Sequence, residues 1–261
     1  MWVANAKSNR VLRLEPGSGR VTAEVPVGRT PLRLAGLKGR IWSTDWGDGT
    51  VSAVSVSPPR RAATIHVGPE PEGIVALGND LWVVSERNGS LARIAPQQRR
   101  PTERIHVGYQ PRQVTAAGGH LWVSVFGDDS VVEVDPSTRR VIARIRACAG
   151  PQGLAYAAGQ LWVACTTSGE LVAVDPQSRR VVRRISYEAA DAVTHAGPVL
   201  RVTSDNGPST GVLEPATAKV SRTVHLSDAF ISDANSDVVA ADGAIWVSSP
   251  DEGTVYRIGG P

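Results

Sequence analysis

Cysteine, lysine and long apolar runs are what this chain has least of. Its two cysteines, Cys148 and Cys165, form no CxxC pair and no Cys/His cluster, which argues against a zinc site. The longest apolar runs are strand-sized, so no transmembrane helix and no membrane span are expected. No basic-then-apolar leader opens the sequence, so no signal peptide is expected within it. A formal net charge of +3 is too weak to suggest a nucleic-acid partner. Lys7, Lys38 and Lys219 are the only lysines among 28 basic residues, a bias expected of a GC-rich bacterial genome. With 41% hydrophobic and 20% charged residues, the composition is that of an ordinary globular protein.

What the chain has in abundance is repetition. The stretch Leu121–Pro136 (LWVSVFGDDSVVEVDP) returns at Leu161, Leu81, Ile41, Ile245 and at the start of the chain. Trp2, Trp42, Trp82, Trp122 and Trp162 follow at intervals of 40, then a degenerate copy at Leu200-Arg201-Val202, then Trp246. A fixed period near 40 in a strand-rich chain is the signature of a propeller or another repeat array. Each period carries four strand-like runs, A to D; in one copy these are Gln113–Ala117, Leu121–Phe126, Val131–Val134 and Val141–Arg146. Gly, Asp, Ser or Pro fills each turn between them. The expected fold is all-β, a propeller of four-stranded antiparallel blades, with the whole of 1–261 as one domain. Its tryptophans read as inter-blade packing.

Run D ends in Val27-Gly28, Val67-Gly68 and Val107-Gly108, followed by Pro31, Pro71 and Pro111, which marks the crossover between blades. Run C ends in Glu15-Pro16, Asp135-Pro136, Asp175-Pro176 and Glu214-Pro215, an extended-to-turn exit. Runs B and C occur seven times, A and D six. Seven blades are therefore expected, with strands D and A missing just before Met1, as though the N-terminus were truncated. In the alternative, six blades, run A at Asp237–Ala241 pairs with the first repeat and Ile245–Pro261 is left over.

The pattern WVAN…NRVLRLEPGSGRVTAEVPVG…P resembles the bacterial YVTN-type β-propeller repeats and is similar to the streptogramin (virginiamycin B) lyase group. The likeness covers essentially the whole chain. It implies a seven-bladed propeller. It also implies a histidine and metal-supported acid/base site at the channel mouth if the lyase activity were shared. His66, His106 and His225 fall in run D, and His120 and His195 are expected in A–B turns on the far face, so none stands where a general base is needed. No Ser/His/Asp arrangement, P-loop or GxGxxG stands out, and no cofactor is expected.

Propellers recognise ligands at the channel mouth. The residues expected there are Arg33, Asp45, Trp46, Glu72, Arg112, Gln113, Gln152, Tyr187, Asp191, Asp205, Phe230 and Asp237. Mixed charges with a few aromatics suit a small polar ligand, a glycan or a protein loop. The C–D turns carry Arg20, Arg60-Arg61, Arg99-Arg100, Arg139-Arg140, Arg179-Arg180 and Lys219, expected to be a repeated solvated turn. Cys148 takes the crossover Gly position before a run A, and Cys165 ends the neighbouring run B. A disulfide between them and two free thiols are both compatible with that placement; a bond would favour an oxidising compartment, and the reading leans to an extracytoplasmic or cell-envelope setting. The sixth repeat departs from the rest through Arg201, Tyr187–Asp191 and the polar insertion Ser227–Ser236, and a specific site is sought beside Tyr187, Glu188, Asp191, Asp205, Phe230 and Asp233. The expected function is a monomeric, non-enzymatic binding or sensing module. The alternatives are a metal-dependent, streptogramin lyase-like enzyme and a structural domain of a larger sensor or regulatory protein.

Overall fold

In four of the sheets the A–B hairpin closes because its two turn residues can take the left-handed backbone angles that a tight type I′ turn requires. Lys38-Gly39, Gly118-Gly119, Ala158-Gly159 and Asp242-Gly243 all have positive φ at both residues, the mark of a type I′ turn. The computed structural model describes residues 1–98, 100–227, 236–250 and 252–259. The first sheet is β1 (Trp2–Asn5), β2 (Arg10–Leu14) and β3 (Val21–Pro26). The second is β4 (Pro31–Leu37), β5 (Arg40–Asp45), β6 (Thr50–Val56) and β7 (Pro59–His66). The third is β8 (Pro71–Leu77), β9 (Asp80–Ser85), β10 (Ser90–Ile94) and β11 (Glu103–His106). The fourth is β12 (Pro111–Ala117), β13 (His120–Val125), β14 (Ser130–Asp135) and β15 (Arg140–Arg146). The fifth is β16 (Pro151–Ala157), β17 (Gln160–Cys165), β18 (Glu170–Asp175) and β19 (Arg180–Ser186). The sixth is β20 (Ala190–Ala196), β21 (Val199–Ser204), β22 (Ser209–Glu214) and β23 (Lys219–His225). The last is β24 (Val238–Ala241), β25 (Ala244–Ser249) and β26 (Thr254–Gly259).

Each sheet is an antiparallel meander in chain order, and seven of them make the fold an all-β, seven-bladed β-propeller. The six-bladed alternative fails because β24 pairs with β25, Val238 opposite Val247, rather than with the first repeat. Strand ends shift by a residue or two from the sequence reading. Phe126 leaves run B and opens a single 3-10 turn, Phe126–Asp128, closed by Asp129 in the left-handed region. His195, expected in a turn, lies inside β20, because that strand runs on to Ala196 before Gly197 turns it.

The acid before proline has a second reason to be there. The Asp135 carboxylate accepts the Ser137 N–H at 2.8 Å, the Ser137 hydroxyl at 2.7 Å and the Thr138 hydroxyl at 2.8 Å. Asp175 accepts the Gln177 N–H at 3.0 Å and the Ser178 hydroxyl at 2.7 Å. These side chains mimic a backbone turn, and the hydrogen bonds hold both carboxyls below the usual range. Arg139 and Arg179 then take positive φ, and the outer strands begin one residue later, at Arg140 and Arg180.

The chain divides into two compact units, residues 1–123 with 133–142 and residues 124–132 with 143–261. In the first, Trp42 on β5 is buried with Val51, Ala53 and Ile65 of its own sheet and Ile74, Leu81 and Val83 of the next. In the second, Trp162 on β17 is buried with Leu171 and Ala173 of its own sheet and with Val193, Leu200 and Val202 of the next. Packing sheet against sheet in this way is what the 40-residue tryptophan period encodes. Arg201 occupies the tryptophan position of the sixth sheet and is itself buried, which lowers its pKa.

Candidate functional site

The positions that present side chains at the crossover ends of the blades are β-bulges. Pairing of β4 with β5 shifts between Pro31 and Leu34, and pairing of β8 with β9 shifts between Pro71 and Ile74. The same shift occurs in β16 between Pro151 and Leu154, and in β20 between Ala190 and Val193. A bulge gives up ladder hydrogen bonds and re-aims the side chains it carries. Hydroxyls on the neighbouring B-type strands take over some of the lost bonds. In the first unit, Thr44 Oγ1 accepts the Arg33 N–H at 3.1 Å and donates to the Glu72 carbonyl at 2.7 Å. In the second unit, Ser124 Oγ donates to the Gln152 carbonyl at 2.7 Å, and Thr203 Oγ1 accepts the Ala192 N–H at 3.0 Å. Ser248 Oγ accepts the Asp237 N–H at 2.8 Å in the same manner.

In the first unit the bulges gather a charged cluster. Arg112 reaches two carboxylates at once: one guanidinium nitrogen is 3.3 Å from Glu72 Oε2 and the other is 3.1 Å from Glu86 Oε1. Trp46 donates its indole N–H to the remaining Glu86 oxygen at 3.5 Å. Arg33, almost fully buried, acts on Glu72 from β4. Glu72 itself is only 2% exposed, and burial pushes its carboxyl up to about 7. Arg112 and Arg33 pull that value down, and Glu86 adds to the rise. Trp46, by contrast, is 36% exposed, so an aromatic face meets solvent beside the buried charges. Gly73 makes the cluster compact. A Cβ there would sit 2.7 Å from Gln113 Oε1 and 2.8 Å from the Arg112 carbonyl, so only glycine lets β8 approach β12 this closely.

In the second unit the equivalent positions are acidic or uncharged. Gln152 is buried over Ser124, and a Cβ on Gly153 would meet the Asp191 carbonyl at 2.5 Å. Asp191 is buried, and the Asp205 carboxyl lies close enough to act on it. Burial raises Asp205 to about 6. Beside this pair lies a hydroxyl-lined cleft of about 560 Å³ that includes Glu188, Ser204, Asn206, Ser209 and His225.

Not every residue expected at the mouth stands there. Asp45 is fully buried, and its carboxylate accepts from the Ser43, Thr50 and Ser52 hydroxyls at 2.8, 3.0 and 2.6 Å and from the Gly28 amide. It ties the end of β5 to the preceding crossover, where a Cβ on Gly28 would come 2.7 Å from it. Burial raises its pKa. Tyr187 lies over Gly211 with its hydroxyl donating to the Val202 carbonyl at 3.2 Å, and it also lines the hydroxyl-rich cleft. Asp237 accepts the Val238 N–H at 2.9 Å and so shapes the entry to β24. Phe230 and Asp233 lie outside the described residues, as does Arg99. Arg33, Trp46, Glu72, Arg112 and Gln113 are brought together, and Glu86 joins them. Glu86 sits one residue beyond β9, and Arg112 lies 26 positions further on, so only the blade register could pair them.

The Asp45–Gly28 pair recurs in altered chemistry. Cys165 ends β17 as Asp45 ends β5, and Cys148 takes the place of Gly28. The two are joined by a disulfide with S–S 2.03 Å and Cα–Cα 6.0 Å. Ser204, at the same position of β21, donates to the Glu188 carbonyl at 2.8 Å. Of the histidines, His66, His106 and His225 lie in the outer strands β7, β11 and β23, and His120 contacts Glu133 at 2.5 Å. Among the described residues no three His, Cys, Asp or Glu side chains are grouped to hold a metal ion.

No family model matches the chain, and no curated protein matches it at the level of sequence. Solved structures do resemble it. A Kuenenia stuttgartiensis hydrazine synthase superposes with TM-score 0.85 at 14% identity, covering 98% of this chain and 91% of that one. A streptogramin B lyase superposes with TM-score 0.79 at 16% identity, covering 94% and 85%. A chain of a nidogen/laminin complex superposes with TM-score 0.65 at 18% identity, covering 86% and 92%. Likeness at this identity establishes the propeller fold, which hosts unrelated functions.

Proposed function

We propose that this propeller is a non-enzymatic binding or sensing module that recognises a small polar ligand at the channel mouth, through Arg33, Trp46, Glu72, Glu86 and Arg112. The observation that carries the reading is the pairing of a solvent-facing indole with charges held in fixed geometry by a buried shell. Such preorganisation favours recognition, since little side-chain entropy is left to lose on binding. We place the repeats with the YVTN-type propellers on the strength of the motif pattern. Thermal-shift screening against glycans, small carboxylates and peptides tests the function. A hit should raise the melting temperature of the wild type and lose that effect in Trp46→Ala and Arg112→Ala. A shift kept in full by both variants would move recognition elsewhere.

A lyase-like activity is the second reading, favoured by the likeness to streptogramin B lyase and by the neighbouring carboxyls Asp191 and Asp205, the latter raised to about 6 by burial. Opening of a cyclic ester in the presence of Mg²⁺, abolished by Asp205→Asn, would establish it.

A further inference from the structure

The charged cluster of the first unit defines the class of ligand it can take, an inference that rests on the binding function proposed for it. We propose that Arg33 and Arg112 receive the carboxylate of a monoanionic organic acid, that the Trp46 indole covers the body of that ligand, and that Glu72 takes up one proton as the ligand's carboxylate replaces it at Arg112.

The argument begins with charge. Two guanidinium groups and two carboxylates meet here: Arg33 from β4, Arg112 from β12, Glu72 from β8 and Glu86 from the turn after β9. These are the charged groups that act on the Glu72 carboxyl. With both glutamates ionised the cluster is neutral overall. With Glu72 protonated it carries one net positive charge, which one monoanion balances. A dianion would leave an excess negative charge against Glu86, and a cation would meet two resident guanidinium groups.

Geometry then selects the place. Arg112 is the partly exposed member: its side chain is 25% exposed, against 3% for that of Glu72 and 11% for that of Glu86, so an incoming anion meets Arg112 first. A planar guanidinium pairs with a carboxylate through two parallel N–H···O bonds, and a fork already directed at Glu72 Oε2 and Glu86 Oε1 is oriented for a third carboxylate oxygen. The ligand's carboxylate and the Glu72 carboxylate compete for the same donor. Burial already places the Glu72 carboxyl near the point where it changes charge at neutral pH, so the loss of Arg112 is met by protonation. Trp46 stands on the far side of Glu86, joined to it by its indole N–H, and its exposed face favours a flat or apolar ligand body.

Isothermal titration of the full chain with benzoate tests the proposal, with benzamide as the neutral isostere and benzylamine as the cationic one. Benzoate should bind about tenfold more tightly near pH 6 than near pH 8, the ratio in which a carboxyl titrating at about 7 is protonated. Titration in two buffers of different ionisation enthalpy should show net proton uptake near pH 8. Glu72→Gln should bind benzoate at both pH values without proton uptake. Arg112→Ala should lose binding and Arg112→Lys should keep only part of it, each checked for native circular dichroism. Benzoate affinity that is equal at the two pH values, with no proton taken up, would overturn the proposal. So would preference for benzamide or benzylamine, or no benzoate binding near pH 6. If instead a glycan binds and is lost in Trp46→Ala, the ligand class is wrong and the binding function stands. If no compound binds at this cluster, both are wrong.

Discussion

At the bulges of β4 and β8 the first unit presents Arg33 and Glu72; at those of β16 and β20 the second presents Gln152 and Asp191. The backbone feature is the same and the chemistry differs. Opposite charges cross-link in the first unit, with Arg112 bridging Glu72 and Glu86. In the second, the acidic residues Asp191 and Asp205 lie near one another, and burial raises the Asp205 carboxyl to about 6. The ties at the ends of the B-type strands differ in the same way: Asp45 is hydrogen-bonded to the Gly28 amide, whereas Cys165 is covalently bonded to Cys148. A repeat therefore specifies where a side chain stands, and the individual blade specifies what it does.

The disulfide offers the largest test of that contrast. Replacing both Cys148 and Cys165 by serine should cost about 3 kcal/mol, the value for a loop of this size, since the cysteines are 17 residues apart. Urea unfolding should show it as a lower midpoint, and a midpoint unchanged by the double substitution would mean the covalent tie adds nothing to the blade. Next comes Glu72→Gln. The folded-state pKa of Glu72 is raised, so the stability its proton contributes is fully present below about pH 4.5 and is lost as pH rises through about 7. The neutral amide should thus gain about 3 kcal/mol over the wild type near pH 8, a gain that vanishes below about pH 4.5. An amide variant less stable than the wild type near pH 8 would show that the ion pairs of Glu72 outweigh its strain by burial.

The smallest effects concern the hydroxyl beside the bulge. Thr44→Val should cost about 1–2 kcal/mol, because the Arg33 N–H and the Glu72 carbonyl lose their shared partner. Ala164 holds the equivalent position on β17 and is fully buried. Ala164→Ser should change stability by no more than about 0.5 kcal/mol, since the added hydroxyl finds a carbonyl where Thr44 and Ser124 find theirs. A loss much above that would show that the fifth sheet does not share the linkage.

The blade plan was legible in the sequence because three signals recur in register: a tryptophan in six of the seven repeats, a tight turn with Gly, and, in four repeats, an acid before proline. Packing that repeats every 40 residues leaves such a record. The site was legible only in part. Arg33, Trp46, Glu72, Arg112 and Gln113 could be placed near one another by repeat register. The bulges could not, since Leu32-Arg33 or Glu72-Gly73 looks like any extended dipeptide until its partner strand is known. Asp45 shows the converse failure. Beside Trp46 and Gly47 it reads as an exposed turn residue, yet Ser43, Thr50 and Ser52 surround its carboxylate inside the blade. Those hydroxyls were visible, but serine and threonine are frequent in turns for many reasons.

The hydroxyl tie beside each bulge has a consequence for protein engineering. Thr44 holds β4 and β8 through the main-chain N–H of Arg33 and carbonyl of Glu72, so the identity of those two side chains is decoupled from the link that positions them. Positions 32, 33, 72, 112 and 113 can then be randomised together to select new binding specificities while the buried tryptophans are left alone. Gly73 and Gly153 must be kept out of such a library, because the neighbouring backbone already occupies the space any side chain would need.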